Sequence, residues 1–240
     1  MQNRSEILSP TLNRPLDDQV LRAYLETIIS KLDFVMDIDI ISNPGRSAGR
    51  PREFDIDQAL DKAITVFSEQ GYHGTSISDL RDAMGLTAGS LYKAFKDKHA
   101  IFLASFDRYK QVRNALLDEE LEKAENGRDG VYRMLAFYAE GAHGAGGRRG
   151  CLAVGTAVEL AIFDDEAARR VERSMDRFET TFEALIRRGQ EDGSVNRSIA
   201  PGATARLLLS VVQGLRVLGK TSPSREQTFS VVDVAMTLLD

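Results

Sequence analysis

Apolar residues recur three and four apart along almost the whole of this 240-residue chain, and no run alternates polar and apolar residues with β-branched enrichment. A helix brings every third or fourth side chain to one face, whereas a strand brings every second, so the spacing predicts an all-α fold. The first pattern of the main body follows Asp55, sets Ile56, Leu60, Ala63, Ile64 and Phe67 on one face, and stops at Gly71. Asp55 with Gln58 three residues on reads as a variant capping box, carboxylate and amide answering the first free backbone N–H groups. Ser76 with Asp79 opens a second helix through Ile77, Leu80, Ala83 and Met84, ending at Gly85. Thr87 caps a third, whose Leu91 and Phe95 point inward.

Asp97 opens a long fourth pattern through Ile101, Phe102, Phe106, Tyr109, Val112, Leu116 and Leu121, running to about Glu125, where Asn126 and Gly127 form a natural stop. Further helices are expected near 129–143, 151–162 and 165–190, the last with Ala168, Val171, Met175, Phe178, Phe182 and Leu185 on one stripe. Two more close the chain. One runs from Pro201 to Leu218 with Leu208, Val211, Val212 and Leu215 on a face; the other starts at Ser224, boxed by Gln227, and carries Val231, Val234, Ala235 and Leu238.

Residues 1–45 read as an N-terminal extension, with an amphipathic helix expected over 17–36 through Leu21, Tyr24, Leu25, Ile28 and Leu32. Met36 shortly before the basic stretch NPGRSAGRPREF leaves two readings open: an over-long start, or an extension packed on the body. The longest apolar stretches are far below the roughly 20 residues of a membrane span, and the N-terminus lacks a basic-then-apolar signal layout. A cytoplasmic protein with no membrane contact is expected. A single cysteine excludes an intrachain disulfide, and three His with one Cys offer no zinc pattern, so neither metal nor cofactor is expected. The net charge of −5 confines any polyanion site to a local patch.

The stretch SISDLRDAMGLTAGSLYKAF has the layout of a helix-turn-helix. Gly85 permits the positive φ of the turn, and Leu86 plugs the gap between the helices. With Leu91 and Phe95 facing the core, Ala88, Gly89, Tyr92 and Lys93 form the outer face: small residues admit base edges, and Tyr92 and Lys93 reach phosphates or bases. Between Arg46 and Lys98 there are eight Lys or Arg and eight Asp or Glu, but the basic ones cluster at the ends, Arg46, Arg50 and Arg52 in an arm and Lys93, Lys96 and Lys98 at the third helix and its exit. Lys98, near the N-terminus of the long helix, suits a phosphate. On spacing alone, two short capped helices are equally a packing motif or a protein-interaction module.

The stretch GRPREFDIDQALDKAITVFSEQGYHGTSISDLRDAMGLTAGSLYKAFKDKHAIF resembles the N-terminal domain of the tetracycline-repressor (TetR/AcrR) family of bacterial transcriptional regulators, through FSEQGYHGTSISDL, AMGLTAGSLYKAF and FKDKHAIF. The resemblance implies a ligand-responsive DNA-binding regulator, most simply a repressor, that binds a near-palindromic operator in double-stranded DNA as a homodimer and is released by a small-molecule effector. It implies a three-helix DNA-binding domain over 46–98 and a helical effector-binding and dimerisation domain over 99–240, dimerising through helices near 201–218 and 224–239. The family's DNA contacts fall on Thr75 or Ser76 (phosphate), Thr87, Ala88, Ser90, Tyr92 and Lys93 (recognition helix) and Lys98 (phosphate), with Arg50 and Arg52 in the arm. Ala88 and Gly89 stand where many relatives carry a longer polar residue at one of the two, so base readout rests on fewer side chains.

In the C-terminal half, RRGCLAVGTAVELA is similar to a GC-L segment of one group of members, some of which respond to electrophiles or oxidants through cysteine. Arg148, Arg149 and the helix start at Cys151 would each favour a thiolate, giving a redox-sensing alternative. Against it, cysteine packs as a small hydrophobe, and no second cysteine could resolve a sulfenic acid. Other effector-site candidates are His143, otherwise a solvated loop residue; Glu159, otherwise satisfied by a buried partner; and Phe178, otherwise core. An enzyme is not expected, since nothing by sequence supplies Cys151 with a His partner.

Overall fold

The computed structural model describes residues 55–240, and every regular element within them is helical. Arg50, Arg52 and the helix expected over 17–36 lie outside the described residues. In chain order the helices are α1 (Ile56–Gly74), α2 (Ile77–Met84), α3 (Ala88–Ala94), α4 (Lys98–Leu121), α5 (Gly127–Glu140), α6 (Gly144–Arg149), α7 (Leu152–Glu159), α8 (Asp165–Asp192), α9 (Pro201–Leu218) and α10 (Arg225–Met236). Short 3-10 turns follow at Gly219–Thr221 and Thr237–Leu239. None of these helices is long and apolar enough to cross a membrane.

Side chains start the first four helices as their types dictate. Asp55 forms the carboxylate half of the expected box, accepting from the Asp57 and Gln58 N–H groups. Ser76 and Asp79 close a full box, Thr87 accepts from Ser90 N–H, and Asp97 accepts from Ala100 N–H at 2.8 Å. Each cap answers backbone donors that the helix cannot, a contribution of about 1 kcal/mol apiece. Gly85 ends α2 at φ 68°, ψ 32°, in the left-handed region where a Cβ costs about 1–2 kcal/mol.

The helices depart from the expected pattern at several points. α1 breaks at Gly71 (φ 74°, ψ 175°) but then makes another turn to Gly74, because an acceptor from elsewhere in the fold meets the N–H groups freed by the break. α4 ends at Leu121, before Asn126, which instead starts α5 by accepting from Asp129 N–H at 2.9 Å. α7 ends at Glu159 rather than 162, and α6 occupies a glycine-rich stretch that no apolar spacing announces.

Two cores organise the molecule. In the first, Leu60, Ile64 and Phe67 of α1, Leu80 of α2 and Leu91 of α3 pack on Ile101, Phe102 and Phe106 of α4, and on Leu152 and Ala153 of α7. Phe67 meets Phe102 edge to face with ring centroids 5.0 Å apart. The second joins Leu117 of α4, Val131 and Phe137 of α5, Phe182 and Ile186 of α8, Leu208 and Val212 of α9, and Val232 of α10. α4 therefore runs through both cores. The boundary expected at 98/99 coincides with the start of this helix, while packing of the first core continues to Phe106.

Candidate nucleic-acid interface and effector cavity

The first core holds α3 by Leu91, only 1% exposed, and turns Ala88, Gly89, Tyr92 and Lys93 to the surface. Nothing lies within 4 Å of where a Cβ would stand on Gly89, so the face is open to close approach, and Tyr92 is 58% exposed. Thr87 and Ser90 share a hydroxyl hydrogen bond of 3.0 Å at the helix start, and Ser76 is exposed at the start of α2. The other two expected phosphate ligands are placed differently. Thr75 is buried and its hydroxyl donates to the Gly71 carbonyl at 2.7 Å. The Lys98 ammonium donates to the Tyr72 and Thr75 carbonyls at 2.9 Å each and sits 4.3 Å over the Tyr72 ring. The Tyr72 carbonyl also accepts from Thr75 N–H at 3.4 Å where α1 meets α2, so the cation clamps that corner.

The effector half contains a small cavity of about 20 Å³ among α4, α5, α8 and α9, and a cleft of about 630 Å³ where the end of α1 meets α7 and the end of α9. Cys151 and Arg216 line both. The Cys151 thiol, half-buried at the start of α7, lies 3.4 Å from the Tyr109 hydroxyl. Burial alone would push this thiol up, but Arg216, the Tyr109 hydroxyl, the Val154 N–H and Arg113 together outweigh it and bring it down to about 7. Burial first, and then Cys151, push Tyr109 up to about 12. The cations acting on the thiol are thus Arg216 and Arg113. The expected Arg148 and Arg149 turn away, to the Ser222 hydroxyl and to Glu69.

The Glu159 carboxylate accepts from Tyr72 N–H at 3.0 Å and His73 N–H at 2.7 Å, backbone partners on α1 in the same core, and the residue also lines the cleft. This is the acceptor that lets α1 resume after Gly71, and a Cβ at Gly71 would stand 2.7 Å from a Glu159 oxygen. His143 pairs with Glu140 at 3.1 Å and lines neither the cavity nor the cleft. Phe178 is both core and wall: it is buried in the second core, lines the small cavity and lies 4.7 Å from the Tyr138 ring.

Two family models match the chain, "Bacterial regulatory proteins, tetR family" over residues 59–105 and "Tetracyclin repressor-like, C-terminal domain" over 127–228. The chain belongs to the TetR family. Among curated members, an HTH-type transcriptional regulator of Bacillus subtilis, YezE, is 29% identical over 80% of this chain and all of its own length. The HTH-type transcriptional repressor ComR of Escherichia coli is 27% identical over 80% of this chain and 92% of its own. Among solved structures, a cysteine mutant of the TetR-family regulator CifR, complexed with 26-bp double-strand operator DNA, superposes with a TM-score of 0.72 at 29% identity, covering 80% of this chain and all of that one. A TetR regulator from Chloroflexus aurantiacus shares the fold, with a TM-score of 0.70 at 22% identity over 78% and 95% of the two chains. TetR membership makes this chain a DNA-binding transcriptional regulator whose N-terminal helices read operator DNA and whose C-terminal helices form the effector domain.

Sequence reasoning missed the polar lining of the TetR effector core. Arg113 is buried at a position where the spacing from Phe102, Phe106 and Tyr109 calls for an apolar residue, and Arg216 is buried beside Leu215. A charge at a core position of an otherwise apolar stripe is the signal that could have found both.

Proposed function

We propose that this TetR-family chain is a repressor that binds a near-palindromic operator as a homodimer and releases it when a small molecule enters the effector half. The observation that carries the reading is the open small-residue face of α3, with Ala88 and Gly89 flanked by Tyr92 and Lys93 and held rigid by Leu91. Thr87, Ala88, Ser90, Tyr92 and Lys93 meet bases and nearby phosphates, Ser76 meets a phosphate, and Arg50 and Arg52 belong to the arm. Lys98 positions the corner that carries Ser76, and Thr75 braces it from inside.

Dimerisation is assigned to α9 and α10. Leu207, Val211 and Leu218 recur along one side of α9, and Val231, Val234 and Leu238 along one side of α10 and its 3-10 extension. Val234 is 69% exposed and Leu218 54%, an apolar stripe that a second copy would cover. The effector binds where the cleft shared by α1, α7 and α9 and the small cavity meet at Cys151 and Arg216, and α7 carries the response: Cys151 at its start belongs to the cavity wall, and Glu159 at its end holds Tyr72 and His73. No redox step at Cys151 is needed, and no catalysis is assigned to the chain, whose relatives are regulators.

Fluorescence anisotropy of the full chain with labelled DNA from upstream of its own gene tests this reading. Binding is expected to fall with salt, and Lys93→Ala is expected to flatten that dependence by about 0.9 in log–log slope if the ammonium meets one phosphate. An intact dimer that binds none of this DNA at any salt would overturn the reading. Sedimentation of Val234→Arg, expected to be monomeric, checks the dimer face.

A further inference from the structure

We propose that the small cavity of the effector half takes the headgroup of an organic carboxylate, gripped side-on by Arg113 with its body against the rings of Tyr138 and Phe178. The inference rests on the ligand-responsive reading above and adds the chemical class of the effector. Arg113 and Arg216 are each only 6% exposed, yet neither meets a carboxylate among the described residues. Buried guanidinium groups are ordinarily paired, because an unanswered charge in the interior is strongly destabilising.

Their donors point to a missing partner. Arg216 spends its two terminal nitrogens on the Gly141 and Gly150 carbonyls and leaves Nε without an acceptor. Arg113 rests on the Phe137 ring at 4.5 Å and the Tyr138 ring at 5.3 Å, while its Nε and Nη2 have no acceptor at all. These two atoms form the edge of the guanidinium that meets both oxygens of a carboxylate in the side-on, bidentate pair. The Tyr138 and Ser174 hydroxyls, also buried and unpartnered, line the same cavity. Lys110 adds a third cation to the lining, its ammonium 4.9 Å from the Phe178 ring. No Asp or Glu lines the cavity; the Cys151 thiol faces Arg216 and leaves the Arg113 edge open.

Size favours a switch over a permanent resident. At about 20 Å³ the cavity has room for roughly one water, so a carboxylate with an organic body must displace part of the wall. Met175, unbranched and half-buried, is the adaptable side of that wall. The wall also includes Cys151 at the start of α7, so a ligand that widens the cavity displaces the helix whose far end holds the reading head through Glu159. Such a ligand favours the widened state and disfavours the closed one.

Titration calorimetry and thermal melts of the full-length dimer at constant ionic strength test this, with benzoate, octanoate and acetate as carboxylates, benzamide as the uncharged counterpart of benzoate, and inorganic phosphate as an anion without an organic body. Benzoate or octanoate is expected to bind and raise the Tm, and acetate, benzamide and phosphate to do so weakly or not at all. Tyr138→Phe removes a hydroxyl without a partner, so the free protein is expected to melt no lower while carboxylate affinity falls about tenfold. Arg113→Lys keeps a cation, loses the fork, and is expected to weaken binding at least as much. The proposal is overturned if no carboxylate of the series binds, if benzamide or phosphate binds as well as benzoate, or if both variants bind unchanged. Operator anisotropy run in parallel separates the two readings: operator binding without any carboxylate response leaves the repressor and removes this site, whereas carboxylate binding without operator binding does the reverse.

Discussion

The two cores treat their polar groups in opposite ways. Around the first, caps and clamps answer what the helices leave open: Asp55, Ser76, Thr87 and Asp97 take backbone N–H groups, and Lys98 takes the carbonyls at the α1–α2 corner. Among the described residues up to Phe106, the Ser105 hydroxyl is the one buried side-chain N or O without a hydrogen-bond partner. The second core leaves Arg113, Tyr138, Ser174 and Arg216 with unanswered atoms around one cavity. A core with nearly every buried polar group answered gives one rigid shape, as reading DNA requires. Unsatisfied buried groups sacrifice stability in the empty protein and create affinity for whatever completes them.

The contrast is broken most directly by deletion in each core. Phe67, 2% exposed and stacked edge to face on Phe102, is expected on Phe67→Ala to cost about 3–5 kcal/mol, a large part of a typical domain's stability, and to abolish operator binding with the head unfolded. Arg113→Met replaces an unpaired buried charge by an apolar chain of similar length and is expected to leave the Tm equal or higher. Thermal melts of the two variants decide it. A comparable loss for both would mean that the second core is as fully satisfied as the first.

Much of the first core could be read from the sequence because its signals are local. A Ser and an Asp three apart specify a cap by themselves, and Gly85 specifies a turn, so α2 and α3 came out in place. Asn126 was legible as a helix boundary but misassigned, since the same residue type suits the end of one helix and the start of the next. The polar cavity was not legible. Arg113, Tyr138, Ser174 and Arg216 stand on four different helices, and although Arg113 falls on the apolar stripe of its own helix, nothing local says that it meets the other three. Glu159 likewise has partners 86 and 87 residues away, at a backbone break that its own carboxylate helps to sustain.

That contact between α7 and the end of α1 carries the next largest effect. Hydrogen bonds to a charged acceptor contribute about 1.5–3 kcal/mol, and Glu159→Gln, which keeps one amide oxygen, is expected to lose roughly half of that. Weaker operator binding with a smaller effector response is expected, measured by anisotropy with and without benzoate. An unchanged response would place the coupling outside α7. Asp164 ties the start of α8 to the start of α4, accepting from Ala167 N–H at 3.0 Å and lying 2.5 Å from His99 Nε2. Burial alone would raise its carboxyl, but the Ala167 N–H, His99 and the Glu166 N–H outweigh burial and hold it below the ordinary value. A carboxyl lowered in the folded state stabilises above its unfolded pKa of about 3.9, and that stability is lost as the pH falls through the folded value. Asp164→Asn should therefore melt lower than the parent at neutral pH, by only about 0.5 kcal/mol for so exposed a pair, with the gap closing as the pH is brought below about 4.

The smallest effects are the most discriminating, because they separate an unanswered hydroxyl that awaits a ligand from one that is merely unanswered. Ser105 and Ser174 both carry buried hydroxyls without partners, but only Ser174 lines the cavity. Removing either costs no hydrogen bond in the free protein and relieves a desolvated dipole, so Ser105→Ala and Ser174→Ala are both expected to melt within about 0.5 kcal/mol of the parent or slightly above it. Their carboxylate affinities should part company: unchanged for Ser105→Ala, and reduced several-fold for Ser174→Ala, whose hydroxyl is placed to donate to the headgroup. Equal affinities in calorimetry would show that lacking a partner is not what makes these groups a site, and the difference between the two cores would then reflect packing alone.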